Sequence, residues 1–157
     1  MSETEDIIRE VRIEAPPHEV FPFFTDPAKM VLWKAVEASL DPRPGGIFWI
    51  NVTGHDIARG EYVEIDPPRR VVFTFGWESG SSLEPPGSTT VEITLAPDGD
   101  GTLLRLVHRG VPDEVRAGST EGWDHYLQRL VIAAEGGEPG SDPWVSAASA
   151  ANDERSS

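Results

Sequence analysis

The sequence contains no cysteine, and that single absence removes disulfide frameworks, thiolate metal sites and cysteine nucleophiles together. Basic residues are also scarce: 13 Lys and Arg stand against 27 Asp and Glu, for a formal net charge of −14. A nucleic-acid partner is excluded on that ground, because phosphate binding needs clustered bases, and an anionic membrane surface is disfavoured by the same imbalance. No apolar run approaches the roughly 18 residues of a membrane span, and no charged leader followed by an apolar stretch opens the sequence. The expectation is a cytoplasmic chain with no membrane partner. Neither a glycine-rich phosphate loop, nor H-E-x-x-H, nor a G-x-S-x-G elbow occurs, so nucleotide, zinc-peptidase and serine-hydrolase chemistry have no motif behind them. No cofactor and no metal are expected, and no catalytic residue is assigned.

What is present fits one core. A chain of 157 residues can bury a hydrophobic interior without staples. From Ile7 to Glu14, residues Ile7, Arg9, Val11 and Ile13 share one parity, the pattern of a half-buried strand. Ala15-Pro16-Pro17 ends it and opens a short helix over His18–Phe24, in which Pro22 should introduce a kink. Thr25-Asp26-Pro27 starts a second short helix carrying Met30 and Trp33 inward. Strand patterns then follow in close succession: Val36–Leu40, Ile47–Gly54, Arg59–Ile65 and Val71–Trp77, with Pro and Gly between them. Phe48, Ile50 and Val52 share one face, as do Val71, Phe73, Phe75 and Trp77. Glu78–Gly87, rich in Gly, Ser and Pro, is expected to be a mobile loop. Thr90–Ala96 and Thr102–Arg109 form a hairpin around Pro97-Asp98-Gly99-Asp100-Gly101.

Beyond Pro112 the period changes from 2 to about 3.6: Trp123, Tyr126, Leu127, Leu130, Val131 and Ala134 make one helical stripe. Ser119 or Thr120 can cap this helix, and Gly136-Gly137 ends it. Burying its five large side chains is a gross gain on the order of 10 kcal/mol, so the stripe must pack on the sheet. Residues 138–157 are mostly Gly, Pro, Ser, Ala and acid, with Trp144 as sole anchor, and are expected to be a disordered tail. The domain would then span residues 1–137.

Several local motifs sharpen this outline: Ala15-Pro16 with Val20-Phe21; Phe24-Thr25-Asp26-Pro27 with Trp33; Pro44-Gly45-Gly46 with Phe48; Gly60-Glu61-Tyr62-Val63-Glu64-Ile65-Asp66-Pro67-Pro68 with Arg70-Val71-Val72-Phe73; Gly101-Thr102 with Leu104, Leu106 and His108; and Gly122-Trp123 with Leu127 and Leu130. In this order they resemble the activator of Hsp90 ATPase homologue 1-like (AHSA1-like) domain of the SRPBCC superfamily, from about Ile7 to Ala134. The resemblance implies an α+β helix-grip (START-like) fold, a curved antiparallel sheet around a long C-terminal helix with two short helices after the first strand. It also implies a ligand-binding or partner-binding domain, a co-chaperone or stress-response module being the alternative to small-molecule binding and a cyclase, aromatase or hydrolase the second alternative.

Facing rings that do not close-pack leave apolar space for a ligand. Trp33, Phe48, Phe73, Phe75, Trp77, Trp123 and Leu127 are therefore the candidate cavity residues for a small hydrophobic ligand, although rings that fill the core completely would account for the same pattern. His108 shares the parity of Leu104 and Leu106 and so points inward, as a group that orients a ligand carbonyl or acts as a general acid or base, or as a satisfied histidine at the cavity edge. Glu61 shares parity with Val63 and Ile65, which makes it the candidate polar cavity residue, against an exposed edge position. His18, His55 beside Asp56, and His125 show no metal-ligand spacing, and a triad of Ser119, His108 and Asp124 lacks its elbow. Trp49, Val72 and Val107 fall on the opposite face, where they could form a homodimer patch.

Overall fold

The computed structural model of the chain describes residues 6–78, 84–140 and 142–143. The elements run β1 (Ile7–Ile13), α1 (Pro17–Val20), a 3-10 turn (Phe21–Phe24), α2 (Pro27–Met30), β2 (Glu37–Leu40), β3 (Ile47–Asn51), β4 (Ile57–Asp66), β5 (Arg70–Phe75), β6 (Thr89–Asp98), β7 (Gly101–Arg109) and α3 (Asp113–Ala134). The seven strands form one curved antiparallel sheet in the order β1-β7-β6-β5-β4-β3-β2. Consecutive strands from β2 to β7 pair as a meander, and β1 returns to the β7 edge with Ile7 opposite His108 and Ile13 opposite Thr102. Pro22 does what a ring without an N–H should do inside a short helix: the chain tightens there from α1 into the 3-10 turn.

One sheet face is almost wholly apolar. Phe48 and Ile50 of β3, Val71, Phe73 and Phe75 of β5, Val91, Ile93 and Leu95 of β6, and Leu104 and Leu106 of β7 are all buried. Against them lies the α3 stripe of Trp123, Tyr126, Leu127 and Leu130, also buried, so the expected grip of sheet on helix is present. Phe48 stacks on Phe73 at 4.1 Å, and Tyr62 donates its hydroxyl to the Phe24 carbonyl at 2.8 Å, tying the 3-10 turn to the sheet. Gly136, at φ 91°, closes α3, with the Gly137 N–H bonded back to Ile132 O at 2.9 Å.

Three expectations need correction. The helix starts at Asp113, not at Ser119 or Thr120, with Pro112 in the capping position and acidic Asp113 and Glu114 in the first turn, where they complement the helix dipole. Its first turns lie over a cavity rather than over the core, so they carry no apolar stripe to read. Glu61 and Val63 are exposed, and Tyr62 between them is buried, as is Ala58 earlier in the strand. The pairing of β4 with β5 shifts register between Tyr62 and Glu64, which breaks the parity on which an inward Glu61 depended. Val72 and Val107 do lie on the outer face, each opposite Glu92, but they are only 7% and 4% exposed. Around Glu92 run ion pairs to Arg70 and to Arg109, so a bare apolar dimer patch is not formed there.

On the edge strand, Arg9 uses its inward parity for charge: its Nε donates to Asp124 of α3 at 2.6 Å. Both side chains are more than a third exposed, so a double-mutant cycle on Arg9→Ala and Asp124→Ala is expected to give a coupling below about 1 kcal/mol. A coupling of several kcal/mol would show that this pair, rather than the apolar stripe, docks the helix.

Candidate functional site

Where α3 leaves the sheet, the fold opens a cavity of about 790 Å³, inside the range of about 300–1,000 Å³ usual for small-molecule sites. Its apolar walls are Phe75 and Trp77 at the end of β5, Val52 and Ile57 around the β3–β4 turn, and Trp123 and Tyr126 of α3. Phe75 and Trp77 meet edge to face at 5.4 Å, and Phe75 and Trp123 are tilted at 45° with ring centres 6.2 Å apart. Gly118 and Gly122 form part of the same wall, one helical turn apart, and a Cβ added at either would touch nothing within 4 Å. The space exists because α3 carries no side chains at these two positions. At Gly76 the opposite holds: an added Cβ would lie 1.8 Å from the Pro85 carbonyl oxygen, so glycine is what lets the Glu84–Pro86 segment lie on the end of β5. The Trp77 N–H bonded to Glu84 O at 2.8 Å fixes that segment.

Deep in the cavity stands a lysine. Lys34 is 6% exposed, and its Nζ lies 4.3 Å from the Tyr126 ring centre, 4.6 Å from Trp123 and 5.7 Å from Phe75. The backbone around it is clamped: Arg129 of α3 donates to the Trp33 carbonyl at 3.0 Å, and the Trp33 indole N–H donates to Phe23 O at 3.1 Å. Among the described residues, nothing hydrogen-bonds the Lys34 ammonium. Burial lowers its pKa from 10.5 to about 7, opposed by the carboxylates of Asp142 and Glu84, which raise it less. Three rings and two distant carboxylates replace only part of the water a cation would lose.

On the sheet side a second buried cluster closes the cavity. His108, 1% exposed, accepts the Trp123 indole N–H on Nδ1 at 3.0 Å. An indole has only a proton to offer, so the histidine proton sits on Nε2, which lies 2.8 Å from Thr89 Oγ1 and 3.3 Å from the buried Glu84 carboxylate. Thr89 in turn bonds Phe75 O at 2.7 Å and Glu84 at 3.1 Å. Both ring nitrogens therefore have partners inside the protein, which ties Trp123 to the Thr89–Glu84 pair. Next to Tyr126 on α3, His125 pairs with Asp142 at 2.8 Å, and burial first, then the Asp142 charge, pushes the Tyr126 phenol above its usual range.

Of the residues expected to line a cavity, Phe75, Trp77, His108 and Trp123 do so. Trp33, Phe48, Phe73 and Leu127 lie within the packed core instead, and Glu61 lies outside on β4. Sequence reasoning missed Lys34, Glu84, Thr89 and Asp142. Glu84 and Asp142 fall in segments expected to be a loop and a tail, yet both are buried, and the Gly140 carbonyl is held by Arg129 at 3.1 Å. Trp144 and the centre of the loop, residues 79–83, lie outside the described residues. Among the described residues, no group of three His, Asp or Glu converges as a metal site, and no helix is long and apolar enough to cross a membrane.

Comparison with known proteins places this architecture. The chain is 49% identical to an AHSA1-like protein from Rhizobium etli whose solution structure covers 91% of this chain and 89% of its own, with a TM-score of 0.73. CalU16 from Micromonospora echinospora is 30% identical over 83% of this chain and 76% of its own, with a TM-score of 0.69. A Schizosaccharomyces pombe protein is 28% identical over 133 residues, 81% of this chain but 36% of its own length, so the chain spans about a third of that curated relative. Residues 14–135 match the family described as activator of Hsp90 ATPase homolog 1-like protein, and with more than half of the chain matched and the helix-grip fold in place, the chain belongs to the activator of Hsp90 ATPase homolog 1-like family.

Proposed function

We propose that this domain binds a small, uncharged and largely apolar molecule in the cavity between the end of β5 and the first half of α3. The observation that carries the reading is the 790 Å³ space walled by Phe75, Trp77, Trp123 and Tyr126, rings that a ligand can stack on. Charge sets the second preference. Asp56, Glu78, Glu84 and Glu114 border the same space with Lys34 as the one Lys or Arg among the described lining residues, so an anion would enter against the local field. A few inward polar groups in an apolar cleft are the usual means of orienting a ligand.

The neutral probe N-phenyl-1-naphthylamine tests this. Its titration is expected to raise probe emission and quench tryptophan emission saturably, with a Kd on the order of 10 µM for a ligand of that size. Trp77→Phe should remove part of the quenching. A linear, unsaturable response, or saturation that a Trp77 and Trp123 double replacement by alanine leaves untouched, would overturn the assignment.

A further inference from the structure

We propose that Lys34 is an amine nucleophile that captures aldehyde or ketone ligands as an imine, which rests on the cavity being a ligand site and names the ligand class it takes. The geometry supplies what such an amine needs. Its Nζ is buried, reaches into the cavity, and has no hydrogen-bond or ion-pair partner among the described residues. Tyr126, Trp123 and Phe75 surround it at 4.3–5.7 Å, so a carbonyl compound stacked on those rings would be held against the nitrogen. A lysine desolvated in an apolar pocket keeps its lone pair free at neutral pH, in keeping with the fall of its pKa to about 7.

The charged and titratable groups around it favour this use over ion pairing. From the sheet side Glu84 faces it, with His108 behind Trp123; from the helix side Tyr126 and the Asp142–His125 pair do. Two carboxylates already offset part of whatever positive charge the nitrogen carries, including that of a protonated imine, and they repel an anionic ligand from it. The step balances without a further reactant. The nitrogen lone pair forms the C–N bond as the carbonyl π pair moves onto oxygen, one amine proton passes to that oxygen to give a carbinolamine, and the hydroxyl leaves with the second amine proton as water. The C=N bond remains, and hydrolysis by one water reverses it.

The sequence makes the test clean, because it holds only two lysines, Lys29 and Lys34. The full chain is incubated at pH 7 with 6-methoxy-2-naphthaldehyde and sodium cyanoborohydride, and the reduced adduct is mapped by peptide mass spectrometry. Binding of the matching alcohol and of 6-methoxy-2-naphthoate is followed by tryptophan fluorescence. Lys34 is expected to be trapped at least about 10-fold faster than Lys29 or the terminal amine, with the adduct lost in Lys34→Met and suppressed when Gly118 and Gly122 are replaced by phenylalanine. Equal trapping of the amines, or none, while the alcohol still binds would overturn the imine and leave the binding site standing. Saturable binding of the carboxylate that vanishes in Lys34→Met, without trapping, would overturn it in favour of an ammonium that pairs with anions. Failure of both aldehyde and alcohol to bind would remove the site itself.

Discussion

Placing phenylalanine at both Gly118 and Gly122 is expected to weaken binding of N-phenyl-1-naphthylamine by at least about 30-fold, roughly 2 kcal/mol, without loss of the fold. The reason lies in what these glycines do not do. Neither is needed for a left-handed backbone, since both sit inside a regular helix, and neither admits a close neighbour, since an added Cβ meets open space. Glycine in a helix interior costs about 1 kcal/mol relative to alanine. Two such residues over a cavity mark a helix that trades stability for room. The corresponding alanine pair is therefore expected to raise the unfolding free energy by about 1–2 kcal/mol in urea titrations, and binding should fall in the order glycine, alanine, phenylalanine. If the phenylalanine pair binds the probe as tightly as the parent, the ligand does not occupy the space under α3.

How much of this was readable beforehand depends on whether a residue's fate was set locally. Strand parity placed Val91, Ile93, Leu95, Leu104, Leu106 and His108 inward because β6 and β7 form an unbroken hairpin ladder, where period two transfers directly to burial. The same counting failed at Glu61, because one register shift moves a side chain to the other face. The α3 stripe from Trp123 onward was legible since it packs on the sheet. The preceding ten residues were not, since they pack on a cavity and need no period. Aromatic content pointed to the right region without separating wall from core. Phe48 and Phe73 are neighbours of Phe75 on one face, yet they stack on each other at 4.1 Å, whereas Phe75 is the ring left at the end of the sheet to border the open space.

The polar half of the site was illegible for a stronger reason. Lys34 follows Trp33 in a turn with no repeat around it, and a lysine in a polar-looking turn is ordinarily solvated. Its burial is created by α3 crossing above, with Arg129 bonded to the Trp33 carbonyl, a contact 96 residues away in the chain. Glu84 is buried because Gly76 lets its segment approach β5, and Asp142 because His125 and Arg129 hold the chain after α3 against the helix. In each case a segment with the composition of a loop becomes a wall through a partner distant in sequence.

Lys34→Met is expected to stabilise the protein by at least about 2 kcal/mol at pH 6, and the gain should shrink steadily as the pH rises from 7 past 10.5. Methionine has nearly the length of lysine and no charge to desolvate, so it occupies the ring cage at little steric cost. The sign follows from proton counting. The folded-state pKa lies near 7 and the ordinary value is 10.5; between them the unfolded chain holds a proton that the folded chain does not, so the Lys34 contribution to stability rises with pH across that window. Below about pH 7 both states are protonated and the cost of burying the ammonium is present in full, on the order of 4 kcal/mol for a shift of this size. Well above pH 10.5 both are neutral and the cost is gone. Urea unfolding of parent and variant at pH 6, 8 and 9.5, taken as a difference at each pH, isolates this group from every other that titrates. A difference that stays constant across the three values would mean the Lys34 nitrogen keeps its proton inside the cavity, and the free lone pair on which imine capture depends would not exist.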